Sequence, residues 1–455
     1  VKAWESKNAK NAARAGGVSL MALSLAACGG SSNDNDGEIQ INEDAGGARD
    51  LNGSVGTSAS PVYLSSNRDH GEFSGNAYAG EVWSPGGDTR VDSLGNEDSI
   101  TGTGAADSLE ATLAAADVAP ILQGIETLDV DFIGVSTGQS LDLEDSNGVV
   151  NIIVGRITNN TSATIDNIND VVESISVSNS GEADDFVNFS FNRDVLDGSA
   201  DTLALTVDDV QVDTFSVDAE DGEGYETINM TVSGATNLDD FEIDSTVTLN
   251  ITATADLTVG DFDLSAGHLT TIDASTSTAD LDVDLGNANV IEARVDGTSG
   301  TDVDFTYTGS AGADYIRVDE DSLSAAQTGG EDDDGHDTID GGAGDNTLDF
   351  TVGATSDLIH NDVTVSNIQD VHIDITAAAT ADLDGQQFGE ATGSADVDTI
   401  TVRNNITAAG VADFDLNDLD AGVLVRVQHS SADANDDVGD TDVYVHQADG
   451  TGTAD

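Results

Sequence analysis

Apolar residues recur at every second position in short bursts along this chain. Leu203-x-Leu205-x-Val207, Val247-x-Leu249-x-Ile251, Leu257-x-Val259 and Leu281-x-Val283-x-Leu285 are examples. Alternation over four to eight residues predicts a β-strand with one buried face. Clusters of Asp, Gly, Asn, Ser and Thr separate the bursts, as turns require. No long stretch has helical periodicity. Ser108 to Ala116 is the nearest to a short helix, and irregular structure is the expectation there. Proline stands only at 61, 85 and 120. A sheet of many central strands needs every backbone N–H, which excludes proline from it.

Strand-turn units also repeat. Gly124-Ile125-Glu126-Thr127-Leu128 returns as Gly224-Tyr225-Glu226-Thr227-Ile228, and more loosely as Asn167-Ile168-Asn169-Asp170 and Asn367-Ile368-Gln369-Asp370. Recurrent units of this kind predict a solenoid, in which each turn hides its apolar face against the next. The fold expected is therefore all-β, a right-handed parallel β-solenoid (β-helix or β-roll) with room for small sandwich-like or loop insertions. A chain of β-sandwich modules is the alternative, but it would need buried aromatic anchors, and aromatics are only 4% of the residues. At about 20 residues per turn, residues 90–455 would make roughly 18 turns at about 4.8 Å each.

Some turns have a composition suited to a cation. Gly341-Gly342-Ala343-Gly344-Asp345-Asn346-Thr347-Leu348-Asp349 fits the nonapeptide G-G-x-G-x-D-x-U-x, with Asn346 in the acidic place. Gly335, Asp337 and Ile339 keep that register nine residues earlier. Gly309-x-x-Gly312-x-Asp314-x-Ile316 is a further copy. Asp98-x-Ile100 and Asp107-x-Leu109 repeat at nine, and Asp398-x-Ile400 follows Gly393. Glycines permit turn angles closed to other residues, and stacked turns can offer the six to eight hard oxygens that calcium takes. The calcium ligands expected are thus Asp98, Asp107, Gly312, Asp314, Gly335, Asp337, Gly341, Gly342, Gly344, Asn346 and Asp398. The amide at 346 removes a charge from its turn.

With these turns, segments such as Thr308-Gly-Ser-Ala-Gly-Ala-Asp-Tyr-Ile-Arg-Val318, Leu269-Thr-Thr-Ile-Asp273 and Ile100-Thr-Gly-Thr-Gly-Ala-Ala-Asp-Ser-Leu109 resemble the RTX-type S-layer and adhesin proteins of proteobacteria. The resemblance covers roughly residues 90–400, loosely. It implies a calcium-dependent β-solenoid that lies at the cell surface and assembles laterally with like subunits. Only two consecutive nonapeptides occur, fewer than in a typical RTX block.

Charge sharpens this picture. The 455 residues carry a formal net charge of −74. All three lysines lie at 2, 7 and 10, and nothing after residue 14 is basic except arginine and histidine. Such self-repulsion opposes compaction, disfavours nucleic acid and anionic lipid, and makes cations the natural partners. An acidic coat suited to a saline habitat would also account for it.

Lys2, Lys7, Lys10 and Arg14 precede a small apolar run, Gly16 to Ala27, and then Leu25-Ala26-Ala27-Cys28-Gly29. This is the order of a secretory signal peptide. The Leu-Ala-Ala-Cys ending resembles the bacterial lipobox, which implies cleavage before Cys28 and its lipidation. Gly29 in place of Asp implies the outer membrane. RTX proteins commonly leave by another route, so the leader departs from that family. The organisation expected is 1–27 signal peptide, 28–80 lipidated cysteine and flexible tether, 81–320 first part of the solenoid, and 321–455 RTX-like repeats with continuing solenoid. Gly450-Thr-Gly-Thr-Ala-Asp455 reads as the opening of a further repeat, so truncation at the C-terminus is also expected.

Enzymatic signals are weak. Gly134-Val135-Ser136-Thr137-Gly138 matches G-x-S-x-G at chance frequency, without a clear strand-elbow-helix context. The seven histidines form no zinc pattern. No catalytic residue is assigned, and the chain is expected not to be an enzyme. The function expected is a calcium-dependent structural protein of the cell surface, an S-layer or surface-assembly subunit. An adhesin or glycan-binding lipoprotein is the alternative, and a calcium-dependent polysaccharide-active enzyme the third reading.

Overall fold

The computed structural model describes residues 49–447 except 65–67, 80–93, 97, 115–116, 134–137, 159–161, 181–184, 221–222, 265–268, 287–304, 320–336, 354–355, 358, 360–362, 377–379, 385–387, 389–396, 405–410, 420–421 and 430–439. Among the described residues there is no helix, and every pairing between strands is parallel. The strands stack as a β-solenoid of about ten turns. A sheet of 13 strands and a sheet of 14 strands run along the stack, and successive strands of the chain alternate between them.

Each turn repeats the same division of labour. In the 13-stranded sheet, Leu109, Leu128, Ile152, Ile175, Leu205, Met230 and Ile251 stand in register, one per turn, all buried. Facing outward from the same sheet is a column of threonines, Thr202, Thr227, Thr248, Thr271, Thr306, Thr338 and Thr364. In the 14-stranded sheet the inward column becomes aromatic. Phe189, Phe215, Phe241 and Phe262 stack with ring centroids 6.0, 5.8 and 6.1 Å apart. Alternate side chains point to opposite faces of a strand, so in-register stacking brings like residues together turn after turn.

Short third sheets flank this body. A five-stranded sheet includes Asp69–Ser74, Ser99–Gly102 and Ile121–Gln123, and a four-stranded sheet includes Thr380–Asp384, Val411–Leu419 and Asp440–Gln447. In chain order, Ile121–Gln123 and Ser356–Asp357 lie between a strand of the 14-stranded sheet and the next strand of the 13-stranded one. Asp69–Ser74 and Ser99–Gly102 lie instead between strands of the 13-stranded sheet, and Thr380–Asp384 and Val411–Leu419 between strands of the 14-stranded one.

The repeated strand-turn units have a common job. Gly124, Asn167 and Asn367 have φ of +61°, +55° and +57°, the left-handed region that glycine and asparagine tolerate best. The next residue, Ile125, Ile168, Tyr225 or Ile368, is buried. The third reaches back one turn. Glu126 accepts the N–H of Asp107 at 2.6 Å, Glu226 that of Asp201 at 2.6 Å, and Gln369 that of Asn346 at 2.7 Å. Asn169 instead donates Nδ2 to the carbonyls of Leu143, Glu144 and Ser146.

Three expectations change. Ser108–Leu113 is a strand, not irregular structure, because Leu109, Ala111 and Leu113 alternate into the core. Paired strands begin at Arg49–Asp50, ahead of the boundary at 81 and inside the segment assigned to a tether. Leu51, Val62, Phe73 and Ala77 supply a buried face there despite the polar composition around them. Most turns are also longer than about 20 residues. Register partners lie from 15 residues apart (Val62 to Ala77) to 35 apart (Thr271 to Thr306). Longer turns make fewer of them, about ten rather than 18. The 14-stranded sheet runs without a break across residue 321, where Tyr315–Asp319 pairs with Thr347–Val352.

Candidate functional site

The Gly/Asp turns fold as closed hydrogen-bonded corners. Asp314 is buried, and its carboxylate accepts from Ser310 N at 2.6 Å, Ser310 Oγ at 2.7 Å and Leu281 N of the preceding turn at 3.0 Å. Burial pushes its pKa up, against the pull of those donors. Asp107 accepts from Gly104 N and Gly75 N, each at 2.6 Å. Asp98 accepts from Gly95 N at 2.8 Å and Asp69 N at 2.7 Å. Asp337, partly buried, accepts from Phe305 N at 2.8 Å. Asp98, Asp107 and Asp314 thus each tie their own corner to the turn before it, and Asp337 holds the turn before it.

Asn346 shows why an amide suits the acidic place of its nonapeptide. Its Oδ1 accepts Asp314 N at 2.9 Å, and its Nδ2 donates to the Asn367 carbonyl at 2.9 Å. A carboxylate could not make the second bond. Gly342 and Gly344 have φ of +78° and +105°, and a Cβ on either would fall 2.2 Å from Ser310 O or 2.0 Å from Gly312 O. A Cβ on Gly312 or Gly341 would meet the Ala279 or Asn367 carbonyl at 2.6 or 2.4 Å. Close approach of successive turns requires glycine at all four. Asp398 is exposed, with its backbone in the ladder through Gln369 O and Leu424 N. Gly335, Cys28 and most of the G-x-S-x-G segment lie outside the described residues.

Carboxylates without such donors stack elsewhere, on the outward faces. On the 14-stranded sheet, Asp240 and Glu242 of strand Thr236–Glu242 meet Asp263 of Phe262–Asp263, and Glu242 and Asp263 are in register. One carboxylate oxygen from each lies within 4.8 Å of the others. Burial, then Glu242, Asp261, Asp263 and Asp213, push Asp240 up to about 6. Burial, then Asp244 and Glu242, push Asp218 of strand Gln211–Ala219 to about 6, against the pull of its own backbone N–H and of the nearby Ser216 hydroxyl. From Asp194 to Gly267 the sequence has eighteen acids and no Lys, Arg or His. Hard oxygens this close suit a hard divalent cation such as calcium. The acid cluster therefore fits calcium better than the turn aspartates, whose oxygens already hold backbone donors.

Further along the same sheet the acids are compensated. Arg317 pairs with Asp282 at 2.5 Å, and Arg403 contacts Asp349 at 3.4 Å and Asp374 at 3.2 Å. His372 Nδ1 lies 3.8 Å from Asp349, which also takes the Tyr315 hydroxyl. Burial raises Asp349, but bonds from His372 and Tyr315 and the charge of Arg403 outweigh it and hold its pKa below the usual carboxylate range. Arg403, His372 and Tyr315, scattered in sequence, thus converge on one acid.

The 13-stranded sheet has its own strained acid. Asp129 is pushed up to about 6 by burial, then by Glu110 and Asp131, although Arg156 pairs with Asp131 at 3.0 Å. An unfolded Asp titrates near 3.9. The folded state therefore holds the proton more tightly, and this group's stabilising share is complete below about 3.9 and lost as pH rises through about 6. In EDTA, the urea midpoint is expected to rise between pH 7.5 and pH 5. Asp129→Asn should remove part of that rise, less than about 1 kcal/mol once solvent screening is allowed for. Identical pH dependence in parent and variant would contradict this assignment.

The acid columns were visible as Asp240-x-Glu242-x-Asp244, Asp261-x-Asp263 and Asp282-x-Asp284, the polar phase of the alternation. Only register shows which of them meet. Comparison of the chain with protein-family profiles, curated proteins and solved structures returned no match.

Proposed function

We propose that this chain is a calcium-dependent structural protein of a bacterial cell surface, held to the outer membrane through a lipidated Cys28 and assembling laterally with copies of itself. The observation that carries the reading is the stack of uncompensated carboxylates on the outward faces of a parallel β-solenoid. Like charges brought this close destabilise the folded stack unless cations join them, and an ion that binds only the folded state stabilises it by mass action. Calcium would then couple folding to the outside of the cell and neutralise the surfaces along which neighbours meet.

The test is far-UV circular dichroism of the chain titrated with calcium from EDTA, with magnesium and sodium chloride as controls. A cooperative gain of β-structure specific to calcium, followed by sheet-like assemblies in electron micrographs, is the expected result. Complete β-structure in EDTA, unmoved by calcium, would make the acids a solubility coat and remove the calcium dependence. Saturable glycan binding without self-assembly would move the reading to an adhesin.

A further inference from the structure

We propose that Asp240, Glu242 and Asp263, backed by Ser216 and Asp218, form a resident calcium-class site on the outer face of the 14-stranded sheet, separate from the Gly/Asp turns. It rests on the reading above for the identity of the ion, and on geometry for the existence of the site.

Two independent features meet there. The first is the three carboxylates with oxygens within 4.8 Å of one another. The second is a set of shielded oxygens lacking donors. Ser216 is 2% exposed, on the outward phase of its strand between the buried Phe215 and Val217, and in register with Glu242. Its Oγ leans toward Asp218 yet makes no hydrogen bond of ordinary distance and angle. Asp218 Oδ1, Asp240 Oδ1 and Asn188 Oδ1 are likewise shielded and unbonded, and Asn188 is in register with Ser216. A buried oxygen with no donor is costly, and an ion is one of its few remedies. These oxygens gather on neighbouring turns, in a stretch free of basic residues.

The donor set selects the ion class. Three carboxylates supply up to six oxygens, with hydroxyl and amide oxygens beside them. Calcium accepts six to eight oxygens in flexible geometry, whereas magnesium demands a near-ideal octahedron and gives up its waters reluctantly. An ion here would clamp three successive turns through the strands Gln211–Ala219, Thr236–Glu242 and Phe262–Asp263.

The test is isothermal titration of the full chain with calcium chloride in moderate salt, alongside Asp240→Asn/Glu242→Gln. The parent is expected to show a saturable site that magnesium does not fill, and the double variant to lack one equivalent. Ser216→Ala, a milder change that covers the case of a misfolded double variant, should weaken that equivalent by about tenfold. Glu110→Gln, on the other long sheet, controls for lost charge and should leave the stoichiometry unchanged. Unaltered stoichiometry and affinity in both site variants would overturn the site. Dichroism of the same samples separates the two readings. A site that binds calcium while β-content ignores it would sink calcium-dependent folding and leave the site standing.

Discussion

Phe241→Ala is expected to destabilise the fold by about 3–5 kcal/mol, the usual loss for a buried phenylalanine. Phe241 is fully buried and sits between Phe215 and Phe262 in the aromatic column. Truncation removes ring contacts on two sides, and the flanking strands are held apart by their ladders, so the gap closes poorly. Stability in a solenoid is carried between neighbouring turns. The loss should therefore appear as a lower urea midpoint with a broader transition. Phe186→Ala is the control, because Phe186 is 42% exposed. It should change stability by no more than about 0.5 kcal/mol. Equal effects of the two substitutions would contradict the inward column.

Asp314→Ala should cost about 2–5 kcal/mol, because it strips the acceptor from two backbone donors, Ser310 N and Leu281 N. The Ser310 hydroxyl keeps a second acceptor, the Ala279 carbonyl at 2.8 Å. Relief of the buried charge, which holds the Asp314 pKa up, places the loss toward the lower end. Asp314→Asn keeps one acceptor oxygen and should lose less. Urea unfolding in EDTA and in calcium distinguishes the two jobs this residue could have. The hydrogen bonds predict the same loss in both. A loss confined to calcium would mean that Asp314 acts through an ion.

The same residues show where reading the chain stops. Asp98, Asp107, Asp314 and Asn346 were legible as special positions, because Gly and Asp at nonapeptide spacing mark a stacked turn. What each side chain holds was not legible. A turn aspartate that ligates calcium and one that caps backbone amides look alike in sequence. The Asn at 346 hinted at the difference, since an amide gives up charge and gains a donor, and the Asn367 carbonyl one turn on uses that donor.

The sequence by itself determined the strand alternation, the exclusion of helix, the solenoid stacking and the acidic character of its surfaces. Each follows from a local rule: period two for a half-buried strand, glycine or asparagine where the backbone turns left-handed, no proline within a ladder. Tertiary structure alone decided which residues become neighbours. Arg317 meets Asp282, Arg403 meets Asp349, and Asp240, Glu242 and Asp263 gather while Asp129 faces Glu110. The physical reason is the parallel stack. Each side chain's closest partners lie one whole turn away, and register partners lie from 15 to 35 residues apart. No fixed period in the chain then reports register, and a slip of a single residue would turn every outward acid toward the core.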